Sequence, residues 1–87
     1  MKLDMDRLLP CAGDVFRHFK GKYYVVLMLA HHSETNETLV VYRAMYGTHK
    51  VCARPVEMFM SEVDRAKYPD ADQEYRFEFV GNAWSEQ

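Results

Sequence analysis

Cysteine is scarce. The 87-residue chain holds two, Cys11 and Cys52, and they do not stand in CxxC spacing. Neither a zinc ribbon nor a dithiol redox motif can be built from them, and at most they supply one disulfide. There are four histidines, none in HxH or HxxxH spacing. His31 and His32 are neighbours on a strand end and diverge, so no metal centre and no cofactor is expected. Basic runs are also lacking. The formal net charge is -2, and the longest basic feature is Arg17-His18-Phe19-Lys20-Gly21-Lys22. That is too thin to hold a phosphate backbone alone, which argues against nucleic acid. No stretch approaches the roughly 18 apolar residues of a membrane-spanning helix. Asp4 and Asp6 stand where a signal peptide would be apolar. The expectation is a soluble protein of the reducing cytoplasm, with no internal repeat and no low-complexity segment.

What the chain does have is apolar and aromatic content, 48% hydrophobic and 14% aromatic. It is concentrated between Tyr23 and Arg54. Tyr23–His31 is rich in β-branched and aromatic residues and reads as a strand. His32–Asn36 is a dense run of turn formers, long enough to project. Glu37–Ala44 is a second strand, Met45–Lys50 a turn, and Val51–Arg54 a third strand. Both faces of Tyr23–His31 are apolar, which predicts cover on both sides over part of its length. Ahead of this meander, Val15–Phe19 reads as a short strand. It is joined to Tyr23 by a reversal at Lys20-Gly21-Lys22, with Gly21 supplying positive φ.

Pro55 stops the third strand of the meander and suits a helix start. Val56, Phe59, Met60 and Val63 then recur at i, i+3, i+4 and i+7, one apolar stripe on a short helix. Asp64–Glu74 is a polar loop containing Pro69. Tyr75–Phe79 alternates, with three aromatics on one face, and reads as the last strand. Residues 1–12 form an N-terminal arm, with a helical turn over Met1–Leu9. The domain occupies 13–80, and 81–87 is a tail with Trp84 as its anchor. The predicted class is mainly β: a small five-stranded SH3-like barrel with one short helix before the last strand. An OB-fold fits less well, because its helix normally falls between strands three and four.

Several blocks then occur in a fixed order: Phe16-Arg17-His18-Phe19-Lys20-Gly21, Tyr23-Tyr24, and Ala30-His31-His32-Ser33-Glu34-Thr35. Leu39-Val40-Val41-Tyr42-Arg43-Ala44, Tyr46-Gly47 and Arg54-Pro55-Val56-Glu57-Met58-Phe59 follow. In these blocks the chain resembles DUF1653, a small bacterial domain of unknown function, over roughly residues 14 to 63, with a weaker match at Tyr75–Phe79. The resemblance implies an SH3-like barrel and brings no assigned activity. One departure is Cys52, where a bulky aromatic is expected. A groove lined by that aromatic would be altered here.

The candidate ligand-binding residues are His32, Tyr42, Arg43, Tyr46 and Arg54. Arg43 and Arg54 each end a largely apolar strand, and pairing of those strands can bring them together. Two guanidinium forks beside Tyr42 and Tyr46 suit a carboxylate or phosphate. The plainer alternative pairs the arginines with Glu34, Glu37 or Glu57 as structural bridges. Phe16, Tyr23, Tyr24, Tyr42, Tyr46 and Tyr75 can line a groove for an extended peptide, though core packing accounts for most such rings. His32 and Ser33 beside Glu34 do not make a catalytic triad, because adjacent residues rarely adopt that geometry; they read as a turn.

The expectation is a binding module rather than an enzyme, recognising a peptide, a protein partner or a small anionic ligand. Surplus apolar surface would also suit a homodimer. The alternatives are a small enzyme or accessory domain with a site near His32, Arg43 and Arg54, and an RNA-associated barrel.

Overall fold

The computed structural model describes residues 9–83. In chain order it contains β1 (Asp14–His18), β2 (Tyr23–His31), β3 (Thr38–Ala44), β4 (Val51–Pro55), α1 (Val56–Phe59) and β5 (Phe77–Asn82). Every strand pair is antiparallel, and the order across the sheet is β4-β3-β2-β1-β5. The protein is mainly β, with five strands and one short helix before the last, as its sequence predicts.

The ring of an SH3-like barrel is approximated but not closed. Among the described residues β4 and β5 are both edges and do not pair with each other. Side chains span the gap, together with a backbone bridge from Glu62 to Tyr75. Tyr42 on β3 and Phe77 on β5 lie three strands apart, about 14 Å in a flat sheet. Their ring centroids are 5.7 Å apart, so the sheet is strongly curled. From α1, Phe59 stacks on Phe77 at 4.1 Å and meets Tyr42 edge-on at 5.3 Å. With Phe16, Val26, Val40 and Met60 these rings form the core.

β2 is covered on both sides only in its first half. The consecutive Val25 and Val26 are both buried, which requires packing on each face. A register shift between Val26 and Met28 then marks a bulge. Beyond it Met28 is 54% and Leu29 39% exposed.

The apolar stripe from Val56 to Val63 is buried where expected at Phe59, Met60 and Val63, but only its first turn is helical. Ser61 ends the helix by donating its hydroxyl to the Met58 carbonyl at 2.7 Å. The chain then extends: Glu62 bridges Tyr75, and the Val63 N–H donates to the Glu74 carbonyl. Val63 thus reaches the core from extended backbone.

β5 starts later and runs further than Tyr75–Phe79. The three aromatics do not share one environment. Phe77 is 1% exposed, Phe79 is 56% exposed, and Tyr75 lies outside the strand. Val15 pairs Gly81 while Phe16 pairs Phe79, so Val80 is a bulge residue. Gly81 and Asn82 belong to the strand, which therefore passes the expected boundary at Val80. Except for Leu9, the helical turn expected over Met1–Leu9 lies outside the described residues, and so does Trp84.

The β1–β2 reversal is closed by two hydrogen bonds of 2.7 Å, from Gly21 N–H to the His18 carbonyl and from His18 N–H to the Lys22 carbonyl. Gly21 takes φ +104°, as its place in the turn requires.

Candidate functional site

The β3–β4 register decides which candidate residues meet. Arg54 lies opposite Val40 and Arg43 opposite Val51. Successive residues of a strand point to opposite faces, so Arg54 shares the inner face with Val40 and Tyr42, and Arg43 is on the outer face. The two arginines are not brought together. Neither forms an ion pair with Glu34, Glu37 or Glu57. Among the described residues the one ion pair is Arg17–Asp72, at 3.5 Å.

His32 is also remote. Its Nδ1 accepts the backbone N–H groups of Glu34 at 3.2 Å and Thr35 at 3.4 Å, which pins the β2–β3 turn. The run from Glu37 to Arg43 places that turn about 20 Å of strand from Arg43, which is itself on the face opposite to Arg54. A site joining His32, Arg43 and Arg54 is therefore not assembled.

Tyr42, Tyr46 and Arg54 do gather, on the rim where the inner face reaches solvent. Tyr42 is 4% exposed, and its hydroxyl accepts from Arg54 Nε at 3.2 Å. That bond steers the guanidinium and leaves both Nη groups free to donate. Tyr24 packs edge-on against Tyr42 at 5.5 Å and Tyr46 at 5.6 Å. The Tyr24 and Tyr46 hydroxyls share a hydrogen bond of 2.7 Å. Burial, then that hydrogen bond, raises the Tyr24 phenol well above its ordinary pKa. The exposed Cys52 lies opposite Tyr42, within the tyrosine cluster. Of the other rings proposed for a groove, Phe16 is core and Tyr23 faces the opposite side from Tyr24.

The curl of the sheet adds residues from β1 that the strand pattern did not place here. His18 packs edge-on against Phe77 at 4.9 Å and Tyr24 at 6.3 Å. Its Nδ1 accepts the Lys20 backbone N–H at 3.1 Å, so the neutral ring carries its proton on Nε2. Burial lowers the His18 pKa from 6.5, and the positive charges of Lys20, Arg54 and Arg76 lower it further. Lys22 holds its ammonium 5.1 Å from the Tyr46 ring centroid. The rim is thus a tyrosine cluster with a neutral imidazole and surplus positive charge. The signal for these residues was the basic, aromatic run Arg17–Lys22, whose destination depended on a curl that the sequence pattern does not specify.

Among the described residues no group of three or more His, Cys, Asp or Glu could hold a metal ion. None of their helices is long and apolar enough to cross a membrane.

A family model described as a protein of unknown function, DUF1653, matches residues 14–79. The chain belongs to the DUF1653 family. A crystal structure of a DUF1653 protein from Bordetella bronchiseptica is similar, with 32% sequence identity and a TM-score of 0.70. The match covers 95% of this chain and 100% of that one. No curated protein matches. The region matched to DUF1653 runs from β1 into β5 and contains His18, Tyr24, Tyr42, Tyr46 and Arg54.

Proposed function

We propose that this DUF1653 domain is a non-enzymatic binding module that takes an anionic group, a carboxylate or a phosphate, on the aromatic rim at Arg54. One observation carries the reading. Arg54 has no carboxylate partner among the described residues, yet Tyr42 fixes its orientation through Nε. A guanidinium held that way offers two donors to an incoming oxyanion without a large ordering cost. The neutral His18 beside it offers an Nε2–H donor, and the tyrosines give the rest of a ligand apolar ring surface. The acid belongs to a small ligand or to a side chain or terminus of a partner peptide. The enzyme reading has less support, because His32 and Arg43 lie away from Arg54. An RNA-associated barrel is disfavoured by the net charge of -2.

A titration of the full chain with inorganic phosphate and with acetate, followed by amide NMR, tests the proposal. The expected result is saturable shifts at His18, Tyr24, Tyr42 and Arg54. Arg54→Gln should weaken binding about tenfold or more, and Arg43→Gln should leave it unchanged. Equal affinities in Arg54→Gln and the parent protein would refute it.

A homodimer through the outer face has its own supporting observation. Met28 and Val51 are exposed there, with Ala53 and Val41 between them in the register. Light scattering at micromolar concentration distinguishes the dimer from a monomer. A cytoplasmic location agrees with two free, exposed cysteines.

A further inference from the structure

We infer that the cleft beside the Phe19–Tyr68 ring pair is a second binding site, separate from Arg54, for a small planar anion of the nucleotide or aryl-phosphate class. The cleft has a volume of about 390 Å³ and is lined by Phe19, Lys20, Lys67, Tyr68 and Asp70, among others. That is a size at which small-molecule sites begin.

Two rings in contact form one wall of the cleft. Phe19 and Tyr68 meet edge to face, with centroids 4.9 Å apart and planes at 62°. A flat ligand ring can stack on such a surface whatever its substituents. Two ammonium groups are held over it: Lys20 Nζ is 5.2 Å and Lys67 Nζ 5.7 Å from the Tyr68 centroid. Neither makes an ion pair with Asp70, although that carboxylate lines the same cleft. The cations are therefore available to a ligand anion while the ring contact restrains them. Asp70 can accept a hydrogen bond from a ligand hydroxyl or amine. Ring, anion and hydroxyl together describe a nucleotide better than a simple carboxylate.

The walls are braced, which an ordinary surface loop is not. Arg65 donates to the Ala71 carbonyl at 2.6 Å and to the Gln73 carbonyl at 3.2 Å. The Tyr68 N–H donates to the Asp64 carbonyl at 2.8 Å. At Phe19 the N–H donates to the Arg76 carbonyl at 2.9 Å, and the ring stacks on His18 at 4.5 Å. Bracing of this kind removes part of the ordering cost of binding.

The test is a titration of the full chain with adenosine monophosphate, adenosine and inorganic phosphate, read by amide NMR. Adenosine monophosphate should shift Phe19, Lys67, Tyr68 and Ala71 and bind about tenfold tighter than either fragment. Tyr68→Ala should weaken it about tenfold, as loss of a stacking ring does. Lys67 is exposed, so Lys67→Gln should keep the fold and still weaken binding. Arg54→Gln should leave these shifts intact, which separates this site from the rim. The inference is overturned if adenosine monophosphate binds no tighter than phosphate, if its shifts fall elsewhere, or if folded Lys67→Gln binds it unchanged.

Discussion

His18 is neutral where a free imidazole would already be taking a proton. Its folded pKa lies below the ordinary 6.5, first because it is buried and then because Lys20, Arg54 and Arg76 surround it. Well above pH 6.5 both the folded and the unfolded chain carry a neutral His18, so it contributes no pH dependence there. Below 6.5 the unfolded chain takes the proton first, and stability falls as the pH drops toward the lowered value. Urea unfolding of the parent protein and of His18→Gln should therefore diverge between pH 7 and pH 5, with the variant showing the flatter profile. Gln73 is a second decisive residue. It is buried, and its side-chain amide donates to the carbonyls of Arg17 at 3.0 Å and Tyr75 at 2.8 Å. Gln73→Ala removes those two buried hydrogen bonds and should cost roughly 1–3 kcal/mol in the same assay.

At the scale of elements, the β1–β2 reversal depends on backbone that only glycine takes easily. Gly21→Ala meets no steric obstacle, since nothing lies within 4 Å of an added Cβ, but φ +104° is strained for any L side chain. Thermal unfolding should show a loss of about 1 kcal/mol. The same scale shows what the sequence could and could not tell. β2 and β3 were legible because long β-branched and aromatic runs end at clear turn formers. The stripe at Val56, Phe59, Met60 and Val63 correctly named buried residues but not their backbone, because a β-bridge from Glu62 to Tyr75 competes with the second helical turn. Tyr75, Phe77 and Phe79 looked equivalent by alternation. Phe79 meets core Phe16 edge-on at 5.8 Å yet is 56% exposed, and of the three only Phe77 is buried, against Phe59 of α1, a distinction set by tertiary packing. Arg43 and Arg54 looked convergent until the β3–β4 register placed them on opposite faces. Register is a property of pairs of strands, and no single strand records it.

For the whole molecule, the curled sheet is closed by ring contacts and by the Glu62–Tyr75 bridge, not by direct pairing of β4 with β5. Phe77 touches Phe59, Tyr42, Tyr24 and His18, and so joins the edge strand to the helix and to the candidate site. Phe77→Ala should cost about 3–5 kcal/mol and broaden the amide signals of the rim. Phe79→Ala, two residues away, removes a half-exposed ring that meets Phe16 edge-on at 5.8 Å and should cost less, about 1 kcal/mol. The site is thus a consequence of the fold: curling the sheet brings β1 and its imidazole within reach of the arginine on β4. The most direct measurement is an NMR titration of the His18 imidazole, without phosphate and with phosphate at saturation. An oxyanion beside Arg54 should cancel positive charge at the ring, so His18 should titrate below 6.5 alone and at higher pH with phosphate. The rise should survive in Lys67→Gln and be lost in Arg54→Gln; an identical midpoint in both samples, or the same rise in Arg54→Gln, would contradict an anion site at this rim.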